Sequence, residues 1–318
     1  MMMKKYYFSL PGLLLLLVFF SPIKVSANNL NWNKVKADTI PLFYPGQSAW
    51  EWLLTKHSAA KSVRKGAACL ECHEDEEAEM GALLVSGKKL EPTPIKGKPG
   101  LVEATLQLTQ DAEYLYFRVS WNDPQFVSGK KQDEKFDSKV AVMIGNQQVR
   151  EFPVAACWGA CHNDATEMPD HKSKQARSLY TSASRNKITR SGGGDNFVAK
   201  EKLQTMRKNG DFIEYWQTRI KNPKTHENIS GYILEKRQQS SSSNVDATVE
   251  NHSGHWQVTF KRPLKSNHQD ALNLKASEVY TFGIAIHDDY TKGRFHYVSF
   301  PRTFSLTNNQ ANIVAEKQ

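Results

Sequence analysis

The sequence predicts a mainly β protein, a sandwich or barrel of short strands with a small helical segment in front of it. Three observations carry that prediction. Residues 101–108 and 113–121 alternate apolar and polar side chains with the period of two that a half-buried strand needs. Beyond residue 139, short runs rich in β-branched and aromatic residues recur between polar or Gly-rich stretches. The 318 residues are 39% apolar and 24% charged, enough for a sizeable core and too polar for a polytopic membrane protein.

Taken in order, residues 1–7 carry Lys4 and Lys5, residues 13–20 are apolar without a break, and Val25-Ser26-Ala27 supplies small residues where a signal peptidase would cut. This order predicts a secretory signal peptide over residues 1–27. Its apolar run falls short of the ~20 residues a spanning helix needs. The expectation is therefore a periplasmic, exported protein that does not span the membrane once cleaved.

Residues 28–95 read as a small helical segment. A helix over 50–65, with Trp52, Leu53 and Leu54 apolar, would carry His57 and turn at Gly66 into Cys69-Leu70-Glu71-Cys72-His73. Residues 74–79 are acidic, 81–87 mostly apolar, and Pro92, Pro94, Gly97, Pro99 and Gly100 make a linker. A domain over 96–310 follows, with a tail over 311–318. Its strands are expected at 101–108 and 113–121, joined by a hairpin-like turn at 111–113, then at 139–144, 212–220, 229–234, 256–260, 280–286 and 295–306. One helix is expected at 197–207. Residues 191–195 and 238–244 read as loops. The glycine run in the first loop lacks the following Gly-Lys-Ser/Thr and a preceding strand, so it is not a phosphate loop.

All four cysteines sit in two clusters, each ending in histidine. Cys69, Cys72 and His73 form a CxxCH, the attachment pattern of c-type haem. Cys157, Cys161 and His162 form a CxxxCH, one residue longer. The chemistry requires that order: two thiols add across the two porphyrin vinyl groups, and the next imidazole is held under the iron. Gly159 would let the longer loop bulge. A redox-active disulfide and a zinc site are the rival readings. Neither calls for a trailing histidine in both clusters, and the two sets together offer more ligands than one zinc takes. The expected cofactors are two covalent haems c.

A low-spin haem needs a further axial ligand, usually His or Met. His57 is the candidate for the first haem. Met168 and His171, close behind Cys161, compete for the second, along with His287 and His296 from later strands; the sequence does not choose among them. Pro169 would bend the chain between Met168 and His171.

The formal charge is +9, and removal of residues 1–27 would take away Lys4, Lys5 and Lys24 with no acid. The remaining basic residues are scattered, with no Lys/Arg block and no nucleic-acid motif, so no nucleic-acid partner is expected. A moderately positive surface suits docking to an acidic protein.

Residues from about 96 to 308 resemble the haem-binding domain of the ethylbenzene dehydrogenase gamma-subunit type, also seen in dimethylsulfide dehydrogenase-like enzymes. The resemblance is carried by Leu115-Tyr116-Phe117-Arg118-Val119-Ser120-Trp121, by Ala156-Cys157-Trp158-Gly159-Ala160-Cys161-His162, by Phe282-Gly283-Ile284-Ala285-Ile286-His287-Asp288-Asp289 and by Gly293-Arg294-Phe295-His296-Tyr297-Val298-Ser299-Phe300-Pro301. It implies an immunoglobulin-like β-sandwich that binds one haem between loops and serves respiratory electron transfer. In that family the haem is type b, with Met and Lys as ligands; here Cys157 and Cys161 point to covalent attachment, and the ligand pair need not carry over. The segment holding His57 and the CxxCH lies outside that domain and looks like an added c-type module.

The expected function is a periplasmic dihaem cytochrome c passing electrons in a respiratory chain. Its redox partner proteins would be a periplasmic oxidoreductase or a membrane quinol-linked cytochrome. Trp158 is expected to wall the second porphyrin. Two other readings stand beside it: a haem enzyme whose open iron position reduces a small ligand or peroxide, and a sensor or binding sandwich.

Overall fold

A computed structural model of the protein describes residues 30–124, 131–171 and 178–318; the expected signal peptide lies outside them. In chain order the strands are β1 (Ala37–Phe43), β2 (Leu101–Gln110), β3 (Tyr114–Asn122), β4 (Ser138–Gly145), β5 (Ile213–Asn222), β6 (Thr225–Ile233), β7 (Arg237–Gln239) and β8 (Asp246–His252). They continue with β9 (His255–Pro263), β10 (Val279–His287), β11 (Tyr297–Val298), β12 (Arg302–Ser305), β13 (Ile313–Val314) and β14 (Glu316–Lys317). The helices are α1 (Trp50–Thr55), α2 (Ala60–Arg64), α3 (Leu70–His73), α4 (Glu77–Val85), α5 (Glu151–Ala155), α6 (Cys157–Ala160) and α7 (Lys200–Asn209). None of the described helices is long and apolar enough to cross a membrane.

The alternating segments pair as expected. β2 and β3 form an antiparallel hairpin from Ala104↔Trp121 to Gln110↔Leu115. Asp111 closes it by accepting the N–H groups of Glu113 and Tyr114 at 2.8 and 2.7 Å, the local bonding that makes Asp a turn residue. Neighbouring strands run in the order β7-β6-β5-β4-β10-β11-β1-β2-β3-β9-β8, almost all antiparallel. This one sheet folds over on itself. Phe117 of β3 meets Trp216 of β5 at 6.0 Å and Phe282 of β10 at 5.4 Å, and Trp216 meets Phe260 of β9 at 6.0 Å. Strands far apart along the sheet thus face each other across one core, which makes the architecture a two-layered sandwich. Glu214 of β5 and Arg262 of β9 bridge the layers through a buried pair at 2.7 Å.

The layers join where β1 meets β11, at the single pair Phe43↔Val298. β1 was not expected from the sequence, because Pro41 interrupts it. Pro41 has no N–H to give, but β1 pairs fully only with β2, so its other edge tolerates the proline. Residues 28–95 are therefore not helical throughout: they supply a strand to the sheet, and Asn31–Gln318 forms one compact unit. Residues 311–318, expected as a tail, also join the sheet: β13 pairs with β12 and β14 with β2.

Two elements depart from expectation near the cysteine clusters. The helix over 50–65 is broken into α1 and α2. The N–H groups of Lys56 and His57 both return to the Trp52 carbonyl and end α1, and Arg64 folds α2 back by donating to the Leu54 carbonyl. His57 sits at the break. The strand expected over 295–306 is cut into β11 and β12 at Pro301, which cannot donate to a ladder, and Phe300 leaves the sheet there.

Candidate functional site

Where the two layers join, a cavity of about 420 Å³ opens among α1, α2, α3, α4 and the ends of β1 and β11. Gly66, at φ +98°, turns the chain from α2 toward the first cluster as the sequence suggested. Cys69, Cys72, His73 and His57 all line the cavity. Its remaining walls are mostly apolar, among them Leu53, Val63 and Leu84, with Phe43, Trp52, Trp158 and Phe300 as aromatic faces. The rings of His57 and His73 lie 5.7 Å apart at 70°. His73 donates Nδ1–H to Glu76 at 2.7 Å, which leaves Nε2 as the free nitrogen. His57 accepts the Ala59 N–H on Nδ1 at 3.2 Å, so a metal on its Nε2 would have to reverse that tautomer. Burial is the main cause that holds His57 below the ordinary histidine range, aided by His73 and Lys89, and it keeps the ring neutral and able to ligate.

These residues fit a covalent haem. The two thiols are unpaired and face the same space as the imidazole that follows them. Burial pushes the Cys69 thiol up to about 12, so it is held as a thiol and not as a thiolate. Met80 also lines the cavity and is a candidate ligand beside His57, a thioether that sequence reasoning missed. Glu76 was legible as the third residue after His73 but carried no pattern of its own.

The second cluster is built on α5 and α6. Ala156, at φ +44°, makes the kink between these helices. The bulge expected of Gly159 is thus supplied one residue before Cys157. Gly159 serves close approach instead: a Cβ there would lie 2.8 Å from the Glu151 carbonyl oxygen. Cys157 and Cys161 are unpaired thiols, both pushed up to about 12 by burial. His162 is fully buried. Its Nδ1 lies 2.5 Å from Glu51 Oε1, its Nε2 3.0 Å from the Tyr180 carbonyl oxygen, and its ring stacks on Tyr180 at 3.8 Å. The donor set, two thiols and an imidazole oriented by a carboxylate, fits a haem in kind. An iron on Nε2 would take the place of the Tyr180 contact.

Of the axial candidates, Met168 is buried in a small cluster with Ala49 and Ala165 against which Cys161 packs, so the fold brings it to the second motif. His171 lies at the end of the same turn, 3.5 Å from the Asp164 carbonyl oxygen. His287 and His296 pair with each other, rings 4.9 Å apart, and both donate to the Gly293 carbonyl.

The two clusters adjoin. Cys69 N–H donates to the Val154 carbonyl at 3.0 Å, and Trp50 N–H donates to the Cys161 carbonyl at 2.8 Å. Trp158, from within the second motif, lines the cavity of the first. It packs on Phe43 at 5.3 Å and on Phe300 at 5.7 Å, and Phe300 in turn stacks on His73 at 6.1 Å. The sequence suggested Trp158 as a wall for the second porphyrin; the fold places it on the wall of the cavity at the first cluster.

The family model for ethylbenzene dehydrogenase matches residues 31–299, which takes in the segment the sequence reading had set outside that domain. Cytochrome c-552 of Stutzerimonas stutzeri is 33% identical over 301 residues, 92% of this chain and 93% of its own length. Cytochrome c-551 of Rhodocyclus tenuis is 25% identical over 292 residues, 91% of this chain and 99% of its own. Among solved structures, a family 9 carbohydrate-binding module from Caldicellulosiruptor kristjanssonii in complex with cellotriose overlaps 65% of this chain and 68% of its own at 6% identity. Its TM-score is 0.28, too loose to bear on function.

Proposed function

Because the chain belongs to the ethylbenzene dehydrogenase family, with cytochromes c among its full-length relatives, we propose that it is a periplasmic dihaem cytochrome c that passes electrons between redox proteins of a respiratory chain. The observation that carries this reading is the cavity that gathers Cys69, Cys72, His73 and His57 inside apolar and aromatic walls.

A bound haem supplies one-electron exchange between ferric and ferrous iron. The rest falls to the chain. Cys69 and Cys72 would hold the porphyrin through two thioethers, each S–H adding across one vinyl group with sulfur on one carbon and hydrogen on the other and no net oxidation. His73 presents Nε2 because Glu76 holds Nδ1–H. Leu53, Val63, Leu84 and the aromatic faces exclude water. Cys157, Cys161 and His162 would hold the second haem in the same way, and Met168, buried in a small cluster against which Cys161 packs, is a candidate for its further ligand. The contacts between the two clusters support a short internal relay. Lys56 and Lys89 line the cavity, and Lys61, Arg64 and Lys65 are exposed on α2 and just past it, a charge suited to an acidic redox partner. Export rests on residues 1–27.

Intact mass and a pyridine haemochrome spectrum of the protein matured in a periplasm test the reading. The expected result is a polypeptide heavier by two haems with a thioether-type spectrum, still coloured after acid–acetone extraction. One added haem removes the second centre; a colourless protein with oxidised thiols ends the reading.

A further inference from the structure

Two carboxylates hold the two motif histidines, and they differ in their surroundings. Glu76 holds His73 from three residues away, on a side chain that is 52% exposed. Glu51 holds His162 from 111 residues away, on a side chain that is 2% exposed. Glu51 also accepts the Asn163 N–H on its other oxygen at 2.8 Å, so both oxygens are spent on the second motif. Its helix is tied to that motif as well, through Trp50 N–H on the Cys161 carbonyl. The following residues of α1, Trp52 and Leu53, line the first cavity. One short helix thus has a carboxylate in one site and walls in the other.

We infer that Glu51 is a positioning residue for the second haem: by holding Nδ1 it leaves Nε2 as the nitrogen that would ligate and, as a buried carboxylate, it would set that centre's potential. The inference rests on the dihaem reading. A carboxylate on Nδ1 makes an imidazole a stronger donor, and a stronger donor favours ferric over ferrous iron. Water screens this effect at Glu76 and leaves it at Glu51. Glu51 already holds Nδ1, and a metal on Nε2 would have to displace the Tyr180 carbonyl that lies 3.0 Å from it.

The test is Glu51→Gln in the full chain, with haem counted by intact mass and both potentials read by optical redox titration. Glu76→Gln is the comparison. The expected result is two haems in both variants. In Glu51→Gln the potential of the second haem moves upward while that of the first stays in place, and in Glu76→Gln the first moves by less. The second haem is identified as the one that becomes extractable in the Cys157→Ser, Cys161→Ser protein. Two haems with both potentials unchanged in Glu51→Gln overturn the inference and leave the dihaem reading intact. A wild-type protein with one haem overturns both.

If Glu51→Gln matures without its second haem, the reduced wild-type protein decides by proton NMR of histidine labelled with nitrogen-15. A downfield, exchange-protected His162 ring proton is expected. A His162 ring proton that exchanges as freely as that of His73 overturns the inference.

Discussion

Replacing Trp158 by alanine tests the shared wall between the two clusters. The indole is 6% exposed, packed between Phe43 and Phe300, with Nε1–H donated to Ser48 Oγ at 2.9 Å. Removing a buried aromatic of this size costs about 3–5 kcal/mol, from lost transfer energy and the cavity left behind. The lost hydrogen bond adds little, because Ser48 keeps its bond to the Pro45 carbonyl at 2.5 Å and is not orphaned. For a unit of this size each kcal/mol is worth roughly 2 °C or more of melting temperature, so a fall on the order of 6–15 °C is expected. Trp158→Phe keeps most of the stack and should fall by about a third as much. The assay is near-UV circular dichroism on heating, paired with optical redox titration. Trp158 belongs to the second motif in sequence but to the first cavity in space, so the first haem's spectrum and potential should move. A melting temperature within about 2 °C of wild type, or a change confined to the second haem, would refute the reasoning.

Three further outcomes are expected. His57→Ala should turn the first haem high-spin or shift its potential; an unchanged spectrum assigns the iron to another ligand, with Met80 next to test. Glu214→Gln should destabilise by about 3–5 kcal/mol in denaturant titration, because Arg262 stays buried without its carboxylate, whereas replacing both by apolar residues of similar volume should cost far less. Equal losses in the single and double variants would show that the pair does not act as a unit. Burial holds His296 down to about 4, against an ordinary value of 6.5, and holds His287 well below its ordinary range. The unfolded chain therefore binds more protons than the native one between pH 6.5 and 4, and stability falls as pH drops through that window. His296→Gln should flatten this part of the melting-temperature profile, and an unchanged slope would place the acid sensitivity elsewhere.

Much of the sandwich was legible because its strands obey local rules. The alternation in residues 101–108 and 113–121 survives as β2 and β3, and the helix expected at 197–207 appears as α7, shifted by a few residues and ended at Gly210. β1 was hidden by Pro41, whose tolerance depends on which edge of the strand is paired, a fact about neighbours and not about the segment. The break of the 50–65 helix at His57 was hidden for the same reason: the Arg64 bond to the Leu54 carbonyl exists only once α2 has folded back.

The donor set of each cluster was readable because the proposed thioether attachment would fix residue type and spacing within a few positions: two thiols and the imidazole after them. What lies around those donors was not readable. Glu51 reaches His162 across 111 residues, and Trp158 leaves its own motif to wall the other. No local pattern encodes either contact, since both depend on where β1 and β11 turn one sheet into two layers. The chain alone thus determined which donor atoms stand together in each cluster, while the tertiary fold decided which carboxylate, ring and apolar wall surround each set, because burial and orientation are set by segments distant in sequence.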